Sequence, residues 1–181
     1  MNKWIKLDNA AIVFPPLAKT NNPAIFRLAF VLTEDVQPQI LQTALDKTLG
    51  RYPLMTLCIR KGLFWRYMEQ GKQPVIVQKE EEYPCAPLKH PLYKEPLIKV
   101  LYYQKRIALE VFHAVTDGTG AVEFLKTLIY EYLRLTGKPV MPEGLIKSAE
   151  EKPLPEELED GFDRYYNDAA VNLPRYKKAY Q

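Results

Sequence analysis

A chain of 181 residues, 47% hydrophobic and 26% charged, suits one folded domain with a buried core, which argues against a disordered or fibrous protein. The net charge of +3 and pI near 8.7 are mild, lysine and arginine are spread along the chain, and no recognition module is visible, so nucleic acid is not an expected partner. Cys58 and Cys85 are too few and too isolated for a disulfide framework; no apolar run approaches a membrane span and MNKWIKLDNA has no signal-peptide core, so the expectation is a soluble cytoplasmic domain with reduced thiols and no transmembrane segment.

In chain order, WIKL and AAIVF read as short extended pieces. From Ala24 to Leu32, Phe26, Leu28, Phe30 and Leu32 alternate with Ile25, Arg27, Ala29 and Val31, predicting a well-buried strand. Pro38 fits the first turn of a helix whose buried stripe is Ile40, Leu41, Ala44, Leu45 and Leu49, closed by Gly50 and Pro53. Thr56 to Arg60 and Leu63 to Met68 predict a hairpin around Lys61-Gly62, and Val75 to Gln78 a short strand. Leu97 to Tyr103 and Arg106 to His113 are strands joined at Gln104-Lys105. A long helix from about Thr119 to Thr136, with Ala121, Val122, Leu125, Leu128, Ile129, Tyr132 and Leu133 at helical spacing, stops at Gly137 and Pro139. Val140 to Asp160, proline-bearing and acidic, reads as a surface loop, and the tail as a final helix ending before Pro174. The fold class expected is α+β: a mixed, mostly antiparallel sheet packed by two main helices.

The informative run is RIALEVFHAVTDG, Arg106 to Gly118, which puts His113 where a strand stops and a helix begins. Ile107, Leu109, Val111 and His113 share one strand face, while Ala108, Glu110 and Phe112 share the other. An imidazole leaving a strand beside apolar residues, next to a loop, is set up to act as a base. A plainer alternative stands beside it: Asp117 as the N-cap of the next helix, Gly118 and Gly120 as turn residues, and His113 as a satisfied core histidine. Thr116 reads as a turn residue. Arg51 follows a helix C-terminus, where its charge suits the dipole, and an ion pair with Asp117 is open. No metal is expected, since a catalytic zinc site takes three protein ligands and the only other histidine is His90. Trp65 and Tyr67 read as sheet residues, and Tyr130 and Tyr132 as packing residues.

His113, Asp117 and Gly118 match the HxxxDG signature of the CoA-dependent acyltransferase superfamily. That group includes chloramphenicol acetyltransferase, condensation domains of nonribosomal peptide synthetases, plant BAHD-type acyltransferases and alcohol acetyltransferases. WIKLDNAAIVFPP, FRLAFVLTEDVQPQILQTALDKTLGRYPLM and LEVFHAVTDGTGAVEFLKTLIYEYLRLTG resemble, in the same order, the N-terminal half of alcohol acetyltransferase-like proteins. Phe112 stands where many condensation domains have a second histidine, which favours the alcohol acetyltransferase branch.

The resemblance implies a chloramphenicol acetyltransferase-like half in which His113 is the catalytic base and Asp117 and Gly118 are structural. His113 would take the proton of an alcohol or amine, the small-molecule acyl acceptor, as it attacks an acyl thioester. Acetyl-CoA or another acyl thioester would be the co-substrate, with no permanently bound cofactor. The imidazole nitrogen not used as base would be held by a backbone carbonyl, and Asp117 would pair with an arginine of a second half. That half, which in plant members carries a DFGWG motif absent from this sequence, lines the tunnel. The expected division is therefore residues 1–139 as the acyltransferase-like N-terminal subdomain and 140–181 as an acidic loop and crossover toward a missing second half. A downstream half or self-association would complete the site. A noncatalytic binding or scaffold domain that keeps the fold is the other class, because fold does not fix function.

Overall fold

The computed structural model describes residues 5–6, 11–18, 22–63, 66–88, 95–141, 146–154 and 157. Its strands are β1 (Ile5–Lys6), β2 (Ile25–Val31), β3 (Leu57–Lys61), β4 (Arg66–Gln70), β5 (Val77–Lys79), β6 (Ile98–Tyr103) and β7 (Arg106–Phe112). Its α-helices are α1 (Phe14–Leu17), α2 (Pro38–Arg51) and α3 (Gly118–Leu135). The α+β class holds, with mostly antiparallel pairing and α2 and α3 as the two main helices. The strands divide between two sheets, however: three strands in the order β1-β4-β3, and four in the order β2-β7-β6-β5. Only the β5–β6 pairing in them is parallel.

The four-stranded sheet follows from alternation. β2 and β7 pair along their whole length, Phe26 opposite Val111 and Leu28 opposite Leu109, and β6 returns from β7 through Gln104-Lys105. Ile107, Leu109 and Val111 are fully buried and join one apolar cluster with Leu41 and Leu45 of α2 and Phe124 and Leu128 of α3. Each such side chain contributes about 1.5–3 kcal/mol over its exposed state. β2 is less buried than its pattern predicts: it lies at the sheet edge, and Ala29, Phe30 and Val31 are exposed.

The two long helices run antiparallel. The Gln37 amide at the start of α2 donates to Tyr132 Oη near the end of α3 (2.9 Å). At the other end, Tyr52 Oη reaches the Glu123 carbonyl (3.2 Å) and Thr127 Oγ1 (3.0 Å). α2 continues over Gly50 to Arg51, so its buried stripe runs Leu41, Ala44, Leu45, Thr48, Arg51 and ends polar; Ile40 and Leu49 are half-buried. On α3, Phe124 takes the buried place expected of Val122, which is exposed. Gly137, at φ 76°, ends α3: its amide bonds the Arg134 carbonyl and the Lys138 amide bonds that of Leu133, a Schellman closure.

Other expectations are corrected. AAIVF is not extended: Ala11–Val13 form a 3₁₀ turn leading into α1, because Pro15 and Pro16 fix helical φ where no amide donor is needed. Thr56 closes a 3₁₀ turn (Pro53–Thr56) ahead of β3. The hairpin holds, with Lys61 paired to Arg66, but β4 begins at Arg66 and Leu63 lies outside it. The short strand starts at Val77, not Val75, because only Val77, Gln78 and Lys79 find partners on β6. Residues 146–154 and 157, read as surface loop, return to the body: the Lys147 carbonyl accepts from buried Thr127 Oγ1 (2.8 Å) and Glu157 pairs with Arg51. The tail helix, Trp65 and His90 lie outside the described residues. Among the described residues no helix is long and apolar enough to cross a membrane.

Candidate active site

β7 ends at Phe112, and the chain turns at once. The His113 amide still bonds the Ala24 carbonyl ahead of β2 (2.9 Å), and the Val115 amide closes a turn onto the Phe112 carbonyl (2.9 Å). His113 is therefore fixed at its backbone by the sheet while its side chain leaves the sheet end. The ring lies between two phenylalanines. Phe14 of α1 stacks on it almost parallel, with centroids 4.5 Å apart and planes 7° apart, and Phe26 of β2 meets it tilted at 4.9 Å. Aromatic contacts of this kind contribute about 0.5–1.5 kcal/mol each and define the ring plane. His113 is half-buried, and neither of its ring nitrogens has a hydrogen bond among the described residues. The orienting partner is thus the Phe14–Phe26 pair, not the backbone carbonyl expected from the resemblance.

Asp117 is the N-cap of α3. Its backbone is extended, and Oδ1 accepts the Gly120 amide at 2.8 Å, satisfying one of the free amides of the first turn. The motif loop thus gathers His113 and Asp117 onto one connection but gives them separate partners. Gly118 opens α3 at a negative φ, and a Cβ there would meet nothing within 4 Å. The closer fit is at Gly120, where a Cβ would fall 2.1 Å from Thr116 Oγ1, so the Thr116 side chain would have to turn, and 3.5 Å from Asp117 Oδ1. Sequence reading passed over Gly120 as a turn residue; its place three residues after a capping Asp was the available signal.

Arg51 does not meet Asp117. It is 3% exposed, and its Nη2 sits 2.6 Å from Glu157 Oε2. On the sheet face opposite His113, buried Glu110 accepts from Arg27 Nη1 and from the Cys85 amide, both at 2.8 Å. Arg27 and Arg106 also hold Glu80, at 2.8 and 2.9 Å. This ionic group reaches β7 at Glu110, three residues before His113. No group of three or more His, Cys, Asp or Glu side chains placed to hold a metal occurs among the described residues.

The fold, two sheets with α2 and α3 packed against them, is similar to that of condensation domains of peptide synthetases. The chain is similar to the starter condensation domain of the rhizomide synthetase RzmA, with a TM-score of 0.59 and 16% identity, covering 77% of this chain and 40% of that one. It is also similar to the first condensation domain of the calcium-dependent antibiotic synthetase (TM-score 0.57, 18% identity, 78% of this chain and 41% of that one). SgcC5 from Streptomyces globisporus matches at a TM-score of 0.52 and 16% identity, over 69% of this chain and 33% of that one. The chain thus spans about two-fifths of the length of the condensation domains it matches. No protein-family model and no curated protein sequence matches it.

Proposed function

We propose that this chain is one lobe of an acyl-transfer unit of the alcohol acetyltransferase type, with residues 1–139 as the catalytic-base lobe and 140–181 leading to a second one. His113 takes the proton of an alcohol hydroxyl, or of an amine, as that atom bonds to the thioester carbonyl carbon. The tetrahedral adduct then collapses, the carbon–sulfur bond breaks, and the imidazolium returns the proton to the leaving thiolate. Asp117 and Gly118 hold the motif loop at the start of α3. The observation that carries this reading is the placement of His113 at the sheet end, its plane set by Phe14 and Phe26 and its nitrogens unengaged by the described residues.

Two further facts support it. One neighbour, a mutant of the RzmA starter domain, is in complex with C8-CoA, which favours an acyl thioester as co-substrate. The chain spans 40% of the RzmA starter domain, which favours a site completed by a second lobe or by a second copy of this chain. The same fraction favours the other reading, a noncatalytic binding domain. The two are separated by measuring free-thiol release and ester formation from acetyl-CoA and short alcohols. The comparison is between the 181-residue chain and a version extended past Gln181 in its own reading frame. Transfer by the extended protein and little by the monomeric 181-residue chain is expected. Strong transfer by the monomer would contradict the two-lobe reading, and acyl-CoA binding with no transfer in either protein would favour the binding domain.

A further inference from the structure

The second side of the motif loop borders a cavity of 240 Å³ that the acyl-transfer reading does not use. Thr116 and Gly120 line it from the loop and the first turn of α3, Arg51 and Tyr52 from the end of α2, and Lys147 and Glu157 from the returning segment. Arg51 carries its charge out of water at 3% exposure. Its guanidinium lies 5.1 Å from the Tyr52 ring centroid, and its Nη2 is matched by Glu157 at 2.6 Å. Its Nε is buried with no acceptor among the described residues. Glu157 is shared, since its other oxygen sits 2.5 Å from Lys147 Nζ. One carboxylate therefore serves two cations and leaves one donor of a buried guanidinium unmet, a costly arrangement.

The sign of the cavity is settled by its neighbours. Glu123 also lines it, but its carboxylate is engaged by Lys126 at 2.8 Å. The first turn of the 18-residue α3 adds the positive end of a helix dipole, which favours anions. Burial pushes the Glu157 carboxyl up, yet hydrogen bonds from Lys147 and Arg51 hold it below the usual carboxylate range. The local field thus stabilises negative charge.

We infer that this cavity is an oxyanion-binding subsite for a small molecule bearing a carboxylate or phosphate, and that Glu157 occupies the ligand group's place. A ligand oxyanion in the place of the Glu157 carboxylate meets Arg51 Nη2, while Lys147 supplies the second charge. The inference is independent of acyl transfer, because its readout is binding.

The experiment titrates the 181-residue chain with inorganic phosphate and, separately, with acetate, at ionic strength held constant with sodium chloride. Binding is followed through the amide signals of Thr116 and Gly120 and the Nε–H signal of Arg51. Arg51 is left intact because its loss threatens folding; Glu157→Gln and Lys147→Ala are the variants. Saturable shifts are expected, about fivefold tighter in Glu157→Gln, which removes the competitor, and about fivefold weaker in Lys147→Ala. The tighter of the two anions identifies the ligand group. Absence of saturation in both wild type and Glu157→Gln, or equal midpoints in the two, overturns the inference.

Discussion

At the scale of single residues, the motif loop packs the Thr116 hydroxyl where a methyl group on Gly120 would stand. Thr116 Oγ1 lies 2.1 Å from where a Gly120 Cβ would stand, and the Gly120 amide is the one that Asp117 caps. Gly120→Ala must therefore push Thr116 aside or spoil the cap. A loss of about 0.5–1.5 kcal/mol is expected in chemical denaturation. Thr116→Ala in the same chain removes the obstructing hydroxyl and should recover part of that loss; no recovery would contradict the steric account. His113, by contrast, was legible in advance. It sits in phase with Ile107, Leu109 and Val111, and a strand face with helical spacing beyond it marks a junction. Phe14, whose ring orients the imidazole, was not. It belongs to a stretch read as extended, and the two prolines after it were the overlooked signal for α1.

At the scale of elements, β7 is gripped on both faces by different physics. One face is apolar, and the other carries Glu110 in an ionic group with Arg27 and Glu80. The alternation of Phe26 and Leu28, and of Leu109 and Val111, was legible, but that these two strands pair, and in which register, was not. The ionic group was not, because Glu80 comes from a segment after β5 that no periodicity ties to Arg27. Burial pushes the Glu80 carboxyl up, but Arg27 and Arg106 outweigh it and hold the group below the usual carboxylate value of 4.5. A lowered folded pKa means that the stabilisation is complete above the unfolded value and is lost as pH falls through the folded one. Urea midpoints should therefore drop below about pH 4.5 in the wild type, and Glu80→Gln should flatten that acid limb. Arg27→Met, which leaves buried Glu110 with only the Cys85 amide while Glu80 keeps Arg106, should cost about 3 kcal/mol at neutral pH. An unchanged acid limb in Glu80→Gln would remove Glu80 from the account.

At the scale of the whole molecule, the α+β class and the antiparallel bias were written in the spacing of apolar residues. The split into two sheets was not, because it depends on which hairpins pair with which, and periodicity is silent on partners. The return of Lys147 and Glu157 to α3 and α2 was hidden for the same reason: an acidic, proline-bearing stretch looks solvated until a buried arginine is found beneath it. What unites these scales is a sheet end that presents one imidazole, flanked by rings and backed by an ionic clamp. The central claim is that this imidazole is the base. Its most direct test is the rate of ester formation from acetyl-CoA by the proposed two-lobe protein, compared with His113→Ala at matched acetyl-CoA saturation. The account predicts a loss of at least about 10²-fold with acetyl-CoA affinity unchanged. A His113→Ala protein that forms ester at the wild-type rate would contradict it.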